Sequence, residues 1–166
     1  MTAAARDLPV CIREMLQTDL PAVALIEKQS YEFPWSSGLF RDCLLAGYPA
    51  VVVEQGRRVA GYAIMSVAAG EAHLLNICLA RPLRGGGHGE RLLLSMLERA
   101  RQSGAMRLYL EVRPSNEVAL NLYDKVGFEV LAVRRNYYRA RHGNEDALVL
   151  CYRFSGGPGE TPVPRA

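Results

Sequence analysis

Residues 83 to 97 read LRGGGHGERLLLSML, with four glycines inside five residues and a leucine-rich segment directly after them. Glycine is costly within regular structure, and it belongs where φ turns positive or where another group must come very close to the main chain. The flanking segments limit what this loop can be. Upstream, His73 to Ala80 is an apolar strand. Downstream, Leu92, Leu93, Met96, Leu97 and Ala100 recur as one face of a helix that starts at about Gly89 and is stopped by Gly104. A strand, a glycine turn and a helix N-terminus in succession make an α/β unit. The unpaired N–H groups of the turn, together with the positive end of the helix, form a place for an anion such as a pyrophosphate. A plain structural turn is the alternative reading.

The remainder of the 166 residues mixes strands and helices without an internal repeat. Val10 to Glu14 reads as a first strand, and Thr18 as the cap of a helix running to about Ser30 with Pro21 in its first turn. After the aromatic loop YEFPW, a short helix runs from about Ser37 to Ala46. Ala50 to Glu54 and Val59 to Ser66 form a hairpin around residues 55 to 57. Met106, Leu108, Leu110 and Val112 alternate as a strand. SNE at 115 to 117 opens a helix that Gly127 closes. Phe128 to Tyr138 and Ala147 to Phe154 read as a closing antiparallel pair. The fold class is therefore α/β, a mixed sheet of about seven strands with flanking helices, in one domain over residues 1–154. A Gly/Pro-rich tail from Ser155 is expected to be disordered.

Composition narrows the function classes. No apolar run approaches the roughly 20 residues that span a bilayer, and the opening MTAAARDLPV has no apolar leader segment. The expectation is a cytoplasmic protein without a membrane partner. Net charge is +3, Lys28 and Lys125 are the only lysines, and no dense basic run with interleaved aromatics suggests nucleic acid. Cys11, Cys43, Cys78 and Cys151 are widely spaced, so neither a zinc site nor a redox pair is indicated.

Two phosphate loops can be excluded. A Walker loop needs GK[ST] at the helix start, and residues 89 to 91 are GER. A dinucleotide fingerprint needs a third glycine where Glu90 stands. The stretch RGGGHG instead fits R/Q-x-x-G-x-G/A on Arg84, Gly87 and Gly89. It resembles the acetyl-coenzyme A loop of the GNAT superfamily of N-acetyltransferases. Further matches are EVRPSNEVALNLYDKVGF, RRNYY at 134 to 138, EDA at 145 to 147 and FPW at 33 to 35. These are similar to the RimI-like branch, the bacterial ribosomal-protein-alanine N-acetyltransferases. The resemblance covers about residues 10 to 154.

The resemblance implies a GNAT fold, mostly antiparallel, with a splay between two central parallel strands. It implies acetyl-CoA as co-substrate and no metal. The coenzyme would be held by Arg84, Gly85, Gly86, Gly87, His88, Gly89 and Glu90 at its pyrophosphate. The backbone of Ile77, Cys78 and Leu79 would hold the pantetheine, and Asn116 would make a further contact or brace the loop. Two positions depart from the pattern: His88 replaces an aliphatic residue, and Glu90 stands where a basic one is common.

Acetyl transfer to an amine must remove a proton from the amine, stabilise an oxyanion and protonate the departing thiolate. Glu111 is the candidate base, with partial burial expected to raise its pKa. Tyr123 is the candidate acid, protonated at neutral pH. FPW and RRNYY look like the flanks of the acceptor, and Glu32, Glu145 and Asp146 are candidates for reading basic residues of a peptide. An α-amine is roughly 14% neutral at pH 7, a lysine roughly 0.04%, which favours a protein N-terminus. The expected function is N-alpha-acetylation, on the N-terminal alanine of small-subunit ribosomal protein S-eighteen as the resemblance implies. The alternatives are a lysine or small-amine acetyltransferase of the same fold, a non-catalytic acyl-CoA-binding module, and an arginine-rich nucleic-acid binder.

Overall fold

The structure, a computed structural model, describes residues 8–155. The expected disordered tail thus falls almost wholly in residues 156–166, outside the described residues. Seven strands form one open sheet: β1 (Val10–Glu14), β2 (Ala50–Gln55), β3 (Arg58–Ala68), β4 (Glu71–Leu79), β5 (Arg107–Val112), β6 (Glu129–Ala140) and β7 (Gly143–Arg153). Their order is β1-β2-β3-β4-β5-β7-β6. Four α-helices flank it: α1 (Leu20–Ser30), α2 (Ser37–Leu45), α3 (His88–Gln102) and α4 (Glu117–Val126). The β1–β2, β2–β3, β5–β7 and β6–β7 pairs are antiparallel, and β4–β5 is parallel. The parallel ladder is three rungs long, from Glu71–Arg107 to His73–Tyr109. Among the described residues no helix is long and apolar enough to cross a membrane.

The described chain divides into two compact units, residues 8–66 with 74–98 and residues 67–73 with 99–155. The first is organised by a core of Val23, Ile26, Phe40, Val52, Tyr62 and Ile64. Phe40 packs edge-on to Tyr62 at 5.6 Å. The β2–β3 turn needs Gly56 at φ +63°. Gly61 serves close approach instead: a Cβ there would lie 2.8 Å from Leu79 Cδ2 and 2.9 Å from the Cys78 carbonyl oxygen. Because one of the clashing atoms is backbone, β4 must move to admit it. Gly61→Ala is expected to lower stability by about 1–3 kcal/mol, read as a lower denaturant midpoint with an unchanged slope.

The start of α1 corrects the expectation at Thr18. Residues Gln17–Asp19 form a 3₁₀ turn, and α1 begins after Asp19. Asp19 is the organiser. Its carboxylate accepts two 2.8 Å bonds from the Arg13 guanidinium and one of 2.8 Å from the Leu16 N–H. The Arg13 bond is also the main reason its pKa lies below the usual range.

In the second unit, Leu108, Leu110 and Val112 are buried and alternate with less buried residues along β5. The side chain of Asn116 caps α4 by accepting from Ala119 N–H at 3.2 Å, and Gly127 ends the helix at φ +115°. The closing hairpin is longer than the sequence suggests. Its strands run to Ala140 and from Gly143, with Gly143 at φ +90°. The polar run RARHGNED carries no apolar alternation to reveal this. It is held by Arg113, which donates to Glu145 at 3.1 Å and to the Arg139 carbonyl at 2.8 Å.

Candidate active site

Glu111 occupies the second unit, on the β5 face opposite Leu110 and Val112. Only 11% of its side chain is exposed, and both carboxylate oxygens are engaged. Oε2 lies 2.5 Å from His73 Nε2, and Oε1 accepts from Arg134 Nη1 at 3.3 Å. The parallel register pairs His73 with Tyr109, so His73 reaches the carboxylate two residues along the same face. This corrects the expected pKa. Burial is the largest single influence and pushes Glu111 up. The His73 hydrogen bond and charge, followed by those of Arg134, outweigh it and leave the carboxyl below the ordinary glutamate value. Glu111 is a firmly ionised carboxylate at neutral pH.

Tyr123 lies on the buried face of α4, 6% exposed, with its ring against Phe128 at 5.4 Å. Burial pushes its phenol up to about 12, so it carries its proton throughout the neutral range. Tyr138 is half-buried, and Arg113 lies over its ring at 4.4 Å. Burial, the neighbouring Tyr137 and the Glu111 charge push the Tyr138 phenol up, and Tyr123 contributes in the same direction. RRNYY achieves this placement through a bulge. Asn136 takes φ +54°, and its N–H donates to Asp146 Oδ1 at 2.9 Å. Arg134 consequently turns to Glu111 while lying 4.3 Å over the Tyr137 ring.

The glycine loop belongs to the first unit. Gly85 and Gly87 take φ +80° and +82°, as a turn that aims successive N–H groups requires. Helix α3 begins at His88, one residue earlier than expected, and Glu90 lies in its first turn. His88 Nδ1 is buried without a hydrogen-bond partner. A buried polar atom of this kind at a helix start fits a site for an anion. Arg84 is folded back: its Nε donates to the Leu79 carbonyl at 3.0 Å and its Nη2 to Ser30 Oγ at 3.3 Å. On β4, the Ile77 carbonyl accepts from Tyr31 at 3.1 Å, and Cys78 is buried in the core. Among the described residues no group of three or more His, Cys, Asp or Glu is placed to hold a metal.

Two of the candidates for reading a basic peptide are used within the chain. Glu145 accepts from Arg113 and from the Ser115 N–H, and Asp146 from Asn136. Three residues escaped the sequence reading. His73 reads only as the first residue of an apolar strand, and Arg134 only as part of RRNYY. Glu27 reads as one more polar position of an amphipathic helix. It is 2% exposed and accepts from Trp35 N–H at 3.1 Å, from Asn76 Nδ2 at 2.9 Å and from the Tyr62 hydroxyl. The parallel register and a loop that folds back on its helix bring these partners together, and neither leaves a local signal.

An open, mixed seven-stranded sheet flanked by helices defines a class of fold, and the family comparison agrees. The profile of the acetyltransferase (GNAT) family matches residues 11–128, and the chain belongs to that family. It is an acyl-CoA-dependent N-acetyltransferase. Within the family it is similar to the ribosomal protein bS18-alanine N-acetyltransferase of Escherichia coli. The two are 35% identical over 144 residues, covering 87% of this chain and 97% of the relative. The Salmonella typhimurium protein of the same name is 36% identical over 138 residues, covering 83% and 93%. The crystal structure of the Escherichia coli enzyme superimposes with a TM-score of 0.84 at 33% identity, over 92% of this chain and 100% of that one.

Proposed function

We propose that the protein transfers the acetyl group of acetyl-CoA to the N-terminal alanine of ribosomal protein bS18 in the cytoplasm. The observation that carries this reading is 35% identity extending over 97% of a relative named for that reaction. The site's chemistry supports it. The N–H groups of Gly85 to Gly89 and the first turn of α3, with His88, hold the pyrophosphate. The main chain of Ile77, Cys78 and Leu79 holds the pantetheine, and Asn116 braces the start of α4. Arg84 supports the loop through Leu79 and Ser30 instead of reaching forward to the phosphates.

Glu111 serves removal of the amine proton. It supplies a fixed negative charge beside the attacking nitrogen. Tyr123 gives its proton to the departing thiolate, which a phenol with a pKa of about 12 can do at neutral pH without first losing it. Transfer is direct. Cys78 is a core thiol, its Sγ 3.7 Å from the Leu79 carbonyl oxygen, which leaves no reason for an acyl-enzyme.

A peptide with the N-terminal sequence of bS18 is the decisive acceptor. It is expected to be acetylated at saturating acetyl-CoA, and the same peptide with a blocked N-terminus is not. Equal rates on unrelated N-termini would remove the bS18 assignment and leave the enzyme class intact. Tyr123→Phe is expected to lower kcat by about 10²-fold with both KM values within about twofold, since it removes a proton and no binding contact.

A further inference from the structure

Within this reading of Glu111, we propose that His73 accepts the amine proton at Nδ1, with Glu111 holding the opposite ring nitrogen. The inference rests on the proposed base side of the reaction and says where the proton goes. Glu111 is ionised, so the 2.5 Å contact requires a proton on His73 Nε2. In the neutral ring the lone pair is then on Nδ1. The His73 side chain is 37% exposed, against 11% for Glu111, so the imidazole is the more accessible of the two.

The hydrogen-bond geometry favours the ring over the carboxylate as the acceptor. Both Glu111 oxygens already accept hydrogen bonds, from His73 and from Arg134. From β5, Tyr109 faces His73 across the ladder beside Glu111, and Tyr109 in turn lies 3.5 Å from Glu71 of β4. From β6 come Arg134 and Tyr138. Residues 67–70, which lead into β4, bring no titratable side chain. A carboxylate bound to one imidazole nitrogen fixes the tautomer and stabilises the imidazolium that forms at the other.

As the amine nitrogen bonds to the thioester carbonyl carbon, its N–H bond breaks and the proton passes to Nδ1, directly or through one water; the C–S bond then breaks and releases the thiolate. Glu111 offsets the imidazolium charge. Tyr123 protonates the thiolate. The imidazolium then returns its proton to water and the Tyr123 phenolate takes one up. One turnover moves one acetyl group and leaves no net proton on the protein.

The test is His73→Gln, which keeps a donor toward Glu111 and has no basic atom. We expect kcat to fall by about 10²-fold and both KM values to stay within about twofold. In His73→Ala, added imidazoles should restore kcat in proportion to their basicity. Wild-type kcat in H73Q would overturn the proposal, as would a folded H73A that no imidazole rescues. Glu111→Gln separates the two levels. If E111Q turns over normally, the whole base-side reading fails; if E111Q is impaired and H73Q is normal, only the role of His73 fails.

Discussion

Glu111→Gln is expected to lower kcat/KM by about 10²- to 10⁴-fold, the range of a positioned acid–base group. Glutamine preserves the shape, and its oxygen still accepts from His73. What disappears is the charge that stabilises proton removal and the partner of Arg134. Arg134 is half exposed, and its ion pair contributes about 0–1 kcal/mol to stability. The loss should therefore appear in turnover, with thermal midpoint and acetyl-CoA affinity close to those of the parent. The pH behaviour follows from the sign of the shift. His73 and Arg134 hold the Glu111 carboxyl below its ordinary value, so activity does not fall through its protonation until the pH drops below the normal glutamate range. Any acidic limb between pH 5 and 8 belongs to another group. Initial rates with both substrates varied decide the matter, and a kcat/KM within about threefold of the parent would count against Glu111.

Glu27→Leu should have the largest effect on stability. The substitution strands three donors in the interior of the first unit: the Trp35 N–H, the Tyr62 hydroxyl and the Asn76 amide. Each unsatisfied buried group costs about 1–3 kcal/mol. Relief from burying a carboxylate offsets part of this, so a net loss of about 3 kcal/mol is expected. Glu27→Gln should cost about 1 kcal/mol, because its oxygen still accepts and the Tyr62 hydroxyl can reverse to accept from the amide. Denaturant unfolding monitored by the single Trp35 reads both. An E27L protein as stable as its parent would show that the three donors find other partners.

Features written in local periodicity or in a single special residue are legible before folding. The α3 face repeats at helical spacing, β1 is bounded as expected, and Asn116 and Gly127 mark the ends of α4. The placement of the glycine loop at a helix start belongs to the same group. Features made by distant segments are not legible. Asp19 displaces Thr18 as organiser of α1 because Arg13, on β1, reaches it. The hairpin beyond Tyr138 is held by Arg113 from the other side of the turn at 114 to 116. The direction of the Glu111 shift depends on His73, 38 residues away in sequence and brought near by a parallel register. A sequence can suggest that a glutamate on such a strand is partly buried. Whether cations or burial prevail is decided by which side chains share its face.

In the proposed reaction an α-amine at a protein N-terminus receives the acetyl group. Its most direct test is to incubate the enzyme with acetyl-CoA and a peptide that offers both a free N-terminal alanine and an internal lysine, and to locate the added acetyl by tandem mass spectrometry. The α-nitrogen of the alanine should carry it, and N-terminal blocking should abolish the product. An acetyl group on the lysine side chain, at equal yield with the N-terminus blocked, would rule out N-terminal transfer.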